Sequence, residues 1–244
     1  LTVESENNKV PAIAVKLKVA DWAMPDPLKY TVQNIGWMSP ERVALYTETP
    51  MWSDKHFELI GKSLALMLPL GSRQAEVNLV KQYLSRDNAE TMVKWLKQAD
   101  GSFKYDFTVM DKYLDAVAKA IGKPFPVRIN AFSIAGSTDP KRSGGGKGRH
   151  PVLVTDAAGK TEELEPPPHG SKESEAFWKP VFLEIKARLE KRGWQDVACV
   201  NWHEYCGWPY PELVSMMDRI WPALKWTDTD HGRRQSFPGE GGLS

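Results

Sequence analysis

Residues 177–205 read FWKPVFLEIKARLEKRGWQDVACVNWHEY, and this stretch decides the fold. A long amphipathic helix runs to a Gly193-Trp194 stop. A short apolar run, residues 197–202, then reads as a buried strand, followed at once by polar and aromatic groups. In an α/β barrel, chemistry sits where strands that follow helices end. His203 and Glu204 fall at such an end. Glu204 is a candidate proton donor there. Trp202, Tyr205 and Trp208 are candidate platforms for sugar rings, and His203 stands where a second carboxylate would be expected.

Working outward, the same unit recurs. Residues 42–47 (RVALYT) read as a short strand ending at Glu48. Ser53 offers an N-cap and Asp54 a first-turn acid for a helix over 54–68, with Phe57, Ile60, Leu64 and Met67 on one stripe. Residues 75–80 form a strand, and residues 90–97 fit either a short helix or a strand. Asp100-Gly101 marks a turn. Thr108 and Asp111 suggest a capping-box variant before a helix over 109–121, which Gly122 stops. Residues 127–132 form the next strand. An excursion over 133–170 carries a Gly/Lys/Ser-rich stretch and a hairpin over 151–165, turning at 157–159. Pro180 falls near the start of the long helix or kinks it. A helix over 211–221 and a strand over 225–228 complete the series, with Asp230 and His231 just beyond.

This alternation predicts an α/β fold with a parallel sheet. Five strands are too few to close an eight-stranded barrel, so the reading is a (β/α)8 TIM-type barrel only partly covered by this chain. Residues 10–22 alternate apolar and polar and predict a half-buried strand that MPDP then stops. Residues 1–30 are therefore expected to be the end of a β-rich domain and its linker, and 31–244 the first part of the barrel. The start at Leu1 and the Gly-rich end GEGGLS read as the ends of a fragment.

The 244 residues are 41% hydrophobic and 26% charged, with a formal net charge of +1. That balance suits a globular core and gives no reason to expect nucleic acid or a membrane surface as partner. No apolar run is long enough to span a bilayer. Ten Trp stand out, many beside Pro, Gly or charged residues, which invites a carbohydrate reading; the ordinary alternative is core anchoring. Cys199 and Cys206 form neither a disulfide framework nor a metal pattern. His56, His203, His231 and Asp230 match no zinc spacing, so no metal or other cofactor is expected. SGGGKG lacks the Ser or Thr and the strand-to-helix context of a phosphate loop, and no G-x-S-x-G elbow is present.

Several predicted strands end in chemistry-bearing residues: Glu48, then Asn130 and Ser133, then His203-Glu204, then Asp228, Asp230 and His231. Glycoside cleavage needs an acid at the leaving oxygen and a group that stabilises positive charge at the anomeric carbon. Glu204 fits the acid if Trp202 and Trp208 raise its pKa. Glu48, Trp52, Asn130, Trp202, Tyr205, Trp208, Asp228, Asp230 and His231 make up the candidate substrate-binding set. Asp228 or Asp230 is an alternative second carboxylate.

With these residues in view, the chain resembles glycoside hydrolase family 123. The matching stretches are VADWAMPDP (19–27), PMWSDKHFELI (50–60), DGSFKYDFTVMDKYLDAV (100–117) and FWKPVFLEIKARLEKRGWQDV (177–197). In order and spacing they extend from about Val10 to His231. The resemblance implies a β-sandwich followed by a (β/α)8 barrel, secretion or a periplasmic location, and a glycan as partner. It implies retaining hydrolysis of β-linked N-acetylhexosamine, in which the substrate's 2-acetamido group attacks the anomeric carbon. An adjacent Asp-Glu pair serves that reaction, the Asp orienting the acetamido group and the Glu acting as acid/base. The aligned pair here is His203-Glu204: the Glu is kept and the Asp is replaced. A neutral imidazole can accept the acetamido N–H but supplies no negative charge. The family's activity is therefore in question for this chain, and the alternative is a non-catalytic glycan-binding or scaffold relative.

Overall fold

The structure, a computed structural model, describes residues 14–30, 36–81, 89–133, 150–203 and 209–229. Two sheets organise them. Strands β1 (Ala75–Asn78), β4 (Val127–Ser133), β7 (Ala198–His203) and β8 (Lys225–Thr229) pair side by side, all parallel. Strands β2 (Lys94–Lys97), β3 (Phe103–Asp106), β5 (Val152–Thr155) and β6 (Thr161–Leu164) form a second, mixed sheet in the order β3-β2-β5-β6. The helices are α1 (Pro40–Tyr46), α2 (Asp54–Met67), α3 (Thr108–Ile121), α4 (Lys172–Arg192) and α5 (Pro211–Ile220). The expectation of an α/β fold with a parallel sheet is met. Among the described residues the four parallel strands do not close on themselves.

Helix boundaries follow local chemistry. Ser53 caps α2 by accepting the His56 amide at 3.2 Å, and Ser171 caps α4 through the Ser174 amide at 3.0 Å. Gly193 ends α4 in the left-handed region, with Lys191 and Arg192 in the last turn. Pro180 lies well inside α4 rather than near its start. At α3 the expected Thr108/Asp111 box is not used. Thr108 is already the first helical residue, and the Asp106 carboxylate takes its amide at 2.8 Å.

Two expected strands are corrected. Residues 42–47 lie in or at the end of α1, because Ser39 caps that helix through the Arg42 amide, Pro40 suits its first position and Glu41 its positive end. A short apolar run cannot reveal this; the cap can. Residues 14–22 are not in a strand, and Val15, Leu17 and Val19 are at least 80% exposed. Alternation makes a strand only where a neighbouring edge pairs with it, and no described strand does so. The first part of that expected strand, and the Gly/Lys/Ser stretch after Ser133, lie outside the described residues. Residues 90–97, which fitted helix or strand equally, contain β2.

The hairpin expected over 151–165 is present as β5–β6, but its union with β2–β3 into a second sheet was not anticipated. Hairpin β2–β3 follows β1 and precedes α3; hairpin β5–β6 follows β4 and precedes α4. The hairpins join through parallel pairing of Trp95-Leu96 with Val154-Thr155. Both leave from the C-terminal ends of adjacent parallel strands, so their sheet stands beside that edge. An aromatic cluster fixes it there. Trp95 of β2 stacks on Phe177 (5.7 Å between ring centres) and meets Trp178 edge-on. Phe132 of β4 meets Trp178 edge-on and stacks on Phe182 of α4. Trp95, Phe132, Trp178 and Phe182 are wholly buried.

The apolar face of the parallel sheet, Ala75, Val77, Val127, Ile129, Ala198 and Val200, packs into one core with the helices. The edge of β1 is closed by Tyr113 of α3, whose hydroxyl accepts the Glu76 amide at 3.0 Å. Charged clasps bind helix to helix outside this core: Arg188 and Arg192 of α4 reach Asp111 and Asp115 of α3, and Arg219 of α5 reaches Glu175 of α4.

Candidate active site

The opposite face of the parallel sheet is polar, and its side chains form two rows across the strands. In the lower row, Glu76, Arg128, Cys199 and Lys225 share one register position. In the upper row stand Asn78, Asn130, Asn201 and Thr227. Arg128 is 2% exposed, and Asn130 and Asn201 are fully buried. Buried amides and a buried guanidinium must be hydrogen-bonded to be tolerated, and here they bond to one another.

The bonds run in one sense. Arg128 Nη2 donates to Asn201 Oδ1 at 2.5 Å, and Thr227 Oγ1 donates to the same oxygen at 3.3 Å. Asn201 Nδ2 donates to Asn130 Oδ1 at 3.0 Å, and Asn130 Nδ2 donates to Asn78 Oδ1 at 2.6 Å. Arg128 Nη1 lies 3.3 Å from Glu76 Oε1. Burial pushes the Glu76 carboxyl above the usual carboxylate range, and the Arg128 charge opposes that shift. Burial also pushes the Cys199 thiol up to about 11, so it is an unreactive packing group.

Above the upper row the strands reach their C-terminal ends. A β-bulge between Asn130 and Phe132 resets the register, so that Phe132 pairs with Trp202 and Trp202 with Asp228. The backbone of His203 pairs with Ser133 on one side and Thr229 on the other. Three strand ends thus meet at His203, and the next residue is Glu204.

The expected site residues divide accordingly. Glu204, Tyr205, Trp208, Asp230 and His231 lie outside the described residues. His203 and Asp228 are brought to one edge by backbone pairing. Asn130 is there too, but held inside the amide row rather than at the rim. Trp202 is corrected: its ring is fully buried and meets Tyr210 edge-on at 5.3 Å, so it offers no open face to a sugar. It follows Val200 on the apolar face, where strand alternation puts it. Glu48 is also corrected. It is an exposed residue just past the end of α1, with φ of 50°, and not the end of a strand.

Trp52 is half-buried near the C-terminal end of β1, in a narrow notch lined also by Pro40, Met51, Asn78, Glu90 and Met92. Its indole N–H donates to Glu90 Oε2 at 2.8 Å, and its ring stacks on Phe57. Trp52 has φ of 59°, a strained setting for a bulky residue. His56 holds it there: Nδ1 accepts the Trp52 amide at 3.0 Å while Nε2 donates to the Pro40 carbonyl at 2.7 Å. Both His56 nitrogens are thus committed to structure.

Arg128, Glu76, Asn78, Asn201 and Glu90 were missed from sequence. A signal for the amide row was present. Three strands read AEVN, VRIN and ACVN, each with apolar residues first and third and Asn at the same place.

The comparisons with known proteins agree with this architecture. A solved family 123 glycoside hydrolase from Clostridium perfringens, whose structural analysis addresses glycolipid glycan hydrolysis, superposes with a TM-score of 0.64 at 17% identity. The match covers 86% of this chain and 37% of that one, so this chain spans well under half of that protein's length. No functionally curated protein matches. The family model of the glycoside hydrolase 123 catalytic domain matches residues 37–233, most of the chain, and the chain belongs to that family.

Proposed function

We propose that this chain is the first part of a family 123 (β/α)8 barrel, following a β-sandwich, and that it cleaves β-linked N-acetylhexosamine from glycans. Family membership supports a glycoside hydrolase-like function. The observation that carries the site is the meeting of three strand ends at His203, one residue before Glu204, at the C-terminal edge of the parallel sheet.

In this reading Glu204 protonates the glycosidic oxygen as the C–O bond breaks. The substrate's acetamido oxygen attacks the anomeric carbon from the other side and closes a ring. Glu204, now a carboxylate, then takes a proton from the water that opens it, with net retention. His203 accepts the acetamido N–H through a neutral ring nitrogen. It supplies no negative charge to the cationic ring, a loss of about 3 kcal/mol where such charge is normally used. That substitution favours a second reading, a relative that binds glycan without turning it over.

One assay separates them. The protein, in its full natural length, is tested against aryl β-N-acetylhexosaminides alongside Glu204→Gln and His203→Asp. Turnover that falls by about 10² or more in Glu204→Gln and rises in His203→Asp supports the first reading. Hydrolysis unchanged in Glu204→Gln removes Glu204 from the role. Calorimetric glycan binding without turnover establishes the second.

A further inference from the structure

The amide row has a direction, and the direction has an end. Arginine is a donor only, so Asn201 must turn its oxygen toward Arg128. Its nitrogen then faces Asn130, which must present oxygen to it and nitrogen to Asn78. Asn78 must answer with oxygen. The Asn78 Nδ2 group is left over, with two N–H donors and no hydrogen-bond partner among the described residues. Asn78 is half-buried and lines the notch with Trp52 and Glu90. A single buried guanidinium on the neighbouring strand β4, relayed through Asn201 of β7 and Asn130, thus fixes the polarity that β1 shows at the sheet edge.

We propose that this notch is a second glycan-contact point, at which Asn78 donates to a hydroxyl or carbonyl oxygen of a sugar seated beside Trp52. The inference rests on the glycan reading above and adds a recognition site to it. β1 and β7 are separated by β4, so Asn78 lies about 10 Å across the sheet from the β7 edge. That span suits the sugar next to the one held at His203-Glu204, rather than the same ring. The notch has room for about one oxygen-sized group, which makes it a reader of one hydroxyl and not a pocket for a ring. Its polarity selects: Asn78 takes an acceptor, while the carboxylates that share the lining are engaged elsewhere, Glu90 by the Trp52 indole and Glu41 by the Ala89 amide.

Asn78→Asp is the decisive variant. It is nearly isosteric and keeps an oxygen for Asn130 Nδ2, but turns the donor facing the notch into an acceptor. Wild type and variant are titrated calorimetrically with N-acetylgalactosamine and with a disaccharide bearing it in β-linkage. Wild type should bind the disaccharide more tightly, and Asn78→Asp should reduce disaccharide affinity by about tenfold while leaving the monosaccharide unchanged. In 15N-labelled wild type, the side-chain NH2 signal missing from Asn78→Asp should shift with the disaccharide and not with the monosaccharide. An equal disaccharide-to-monosaccharide ratio in both proteins, with that signal unmoved, overturns the inference and leaves the glycan reading standing. Failure of wild type to bind either sugar overturns both.

Discussion

Replacing Arg128 by Met tests the polar face of the sheet directly. The side chain is 2% exposed, and Met keeps an unbranched, flexible stem while removing the guanidinium, its charge and every donor. Glu76 would lose its counter-charge at 3.3 Å and Asn201 the donor at 2.5 Å. Breaking one partner out of a buried pair costs about 3–5 kcal/mol. For a domain of this size, that is roughly a 10 °C fall in Tm. The pH dependence identifies the cause. The Glu76 carboxyl is already raised above 4.5 by burial, so between its unfolded and folded values the native state holds more protons than the unfolded state. Its contribution to stability therefore falls as pH rises through that window. Without Arg128 the folded value climbs further, the window widens upward, and the deficit at pH 7 should exceed that at pH 5 by at most about 1.4 kcal/mol per pH unit. Urea unfolding followed by circular dichroism at both pH values measures it. Adding Glu76→Gln should recover part of the loss at pH 7 and little at pH 5. A deficit below about 1 kcal/mol at pH 7, or one identical at pH 5, would refute the buried-pair account.

Other outcomes follow from the geometry. Gly170→Ala should destabilise by about 2–4 kcal/mol in a thermal melt, because φ is 82° and the added Cβ would lie 2.6 Å from Glu212 Cβ. Phe132→Ala should lower stability by about 3–5 kcal/mol and increase proteolysis within the β2–β3 and β5–β6 hairpins, since its ring ties β4 to α4. Ser171→Ala should cost about 1 kcal/mol through loss of the α4 cap, read as a shift in the urea midpoint.

Much of the fold was legible where local chemistry and period agree. α2 and α4 show a Ser cap and an apolar stripe, and β4 and β7 are apolar runs with clear punctuation. The errors arise where the deciding term is not local. Residues 42–47 have strand composition, but the Ser39-Pro40-Glu41 start sets them as helix. Residues 14–22 have strand alternation, but no described neighbour pairs with them. The pairing of β2 with β5 joins segments separated by β3, α3 and β4, which no window of sequence reveals. His203 and Asp228 lie at the strand ends where reading the strands put them. Trp202 was misread because a strand carries its residues alternately to two faces, and only the parity relative to Val200 tells which. Arg128 and Glu76 were overlooked because charged residues inside strands are ordinarily assigned to a solvated face; their register with each other, beside the buried amide row, makes them a buried pair instead.

Strand-end loops are ordinarily where an enzyme family diversifies, since each can lengthen or shorten without consulting the next. The parallel pairing of β2 with β5 withdraws that independence here. A residue inserted within β2 or β5 would slip their shared register and turn Trp95 out of the aromatic cluster. Those two strands must therefore change together. Among the described residues near this edge, those around Trp52 lie outside that pairing and remain free to vary independently.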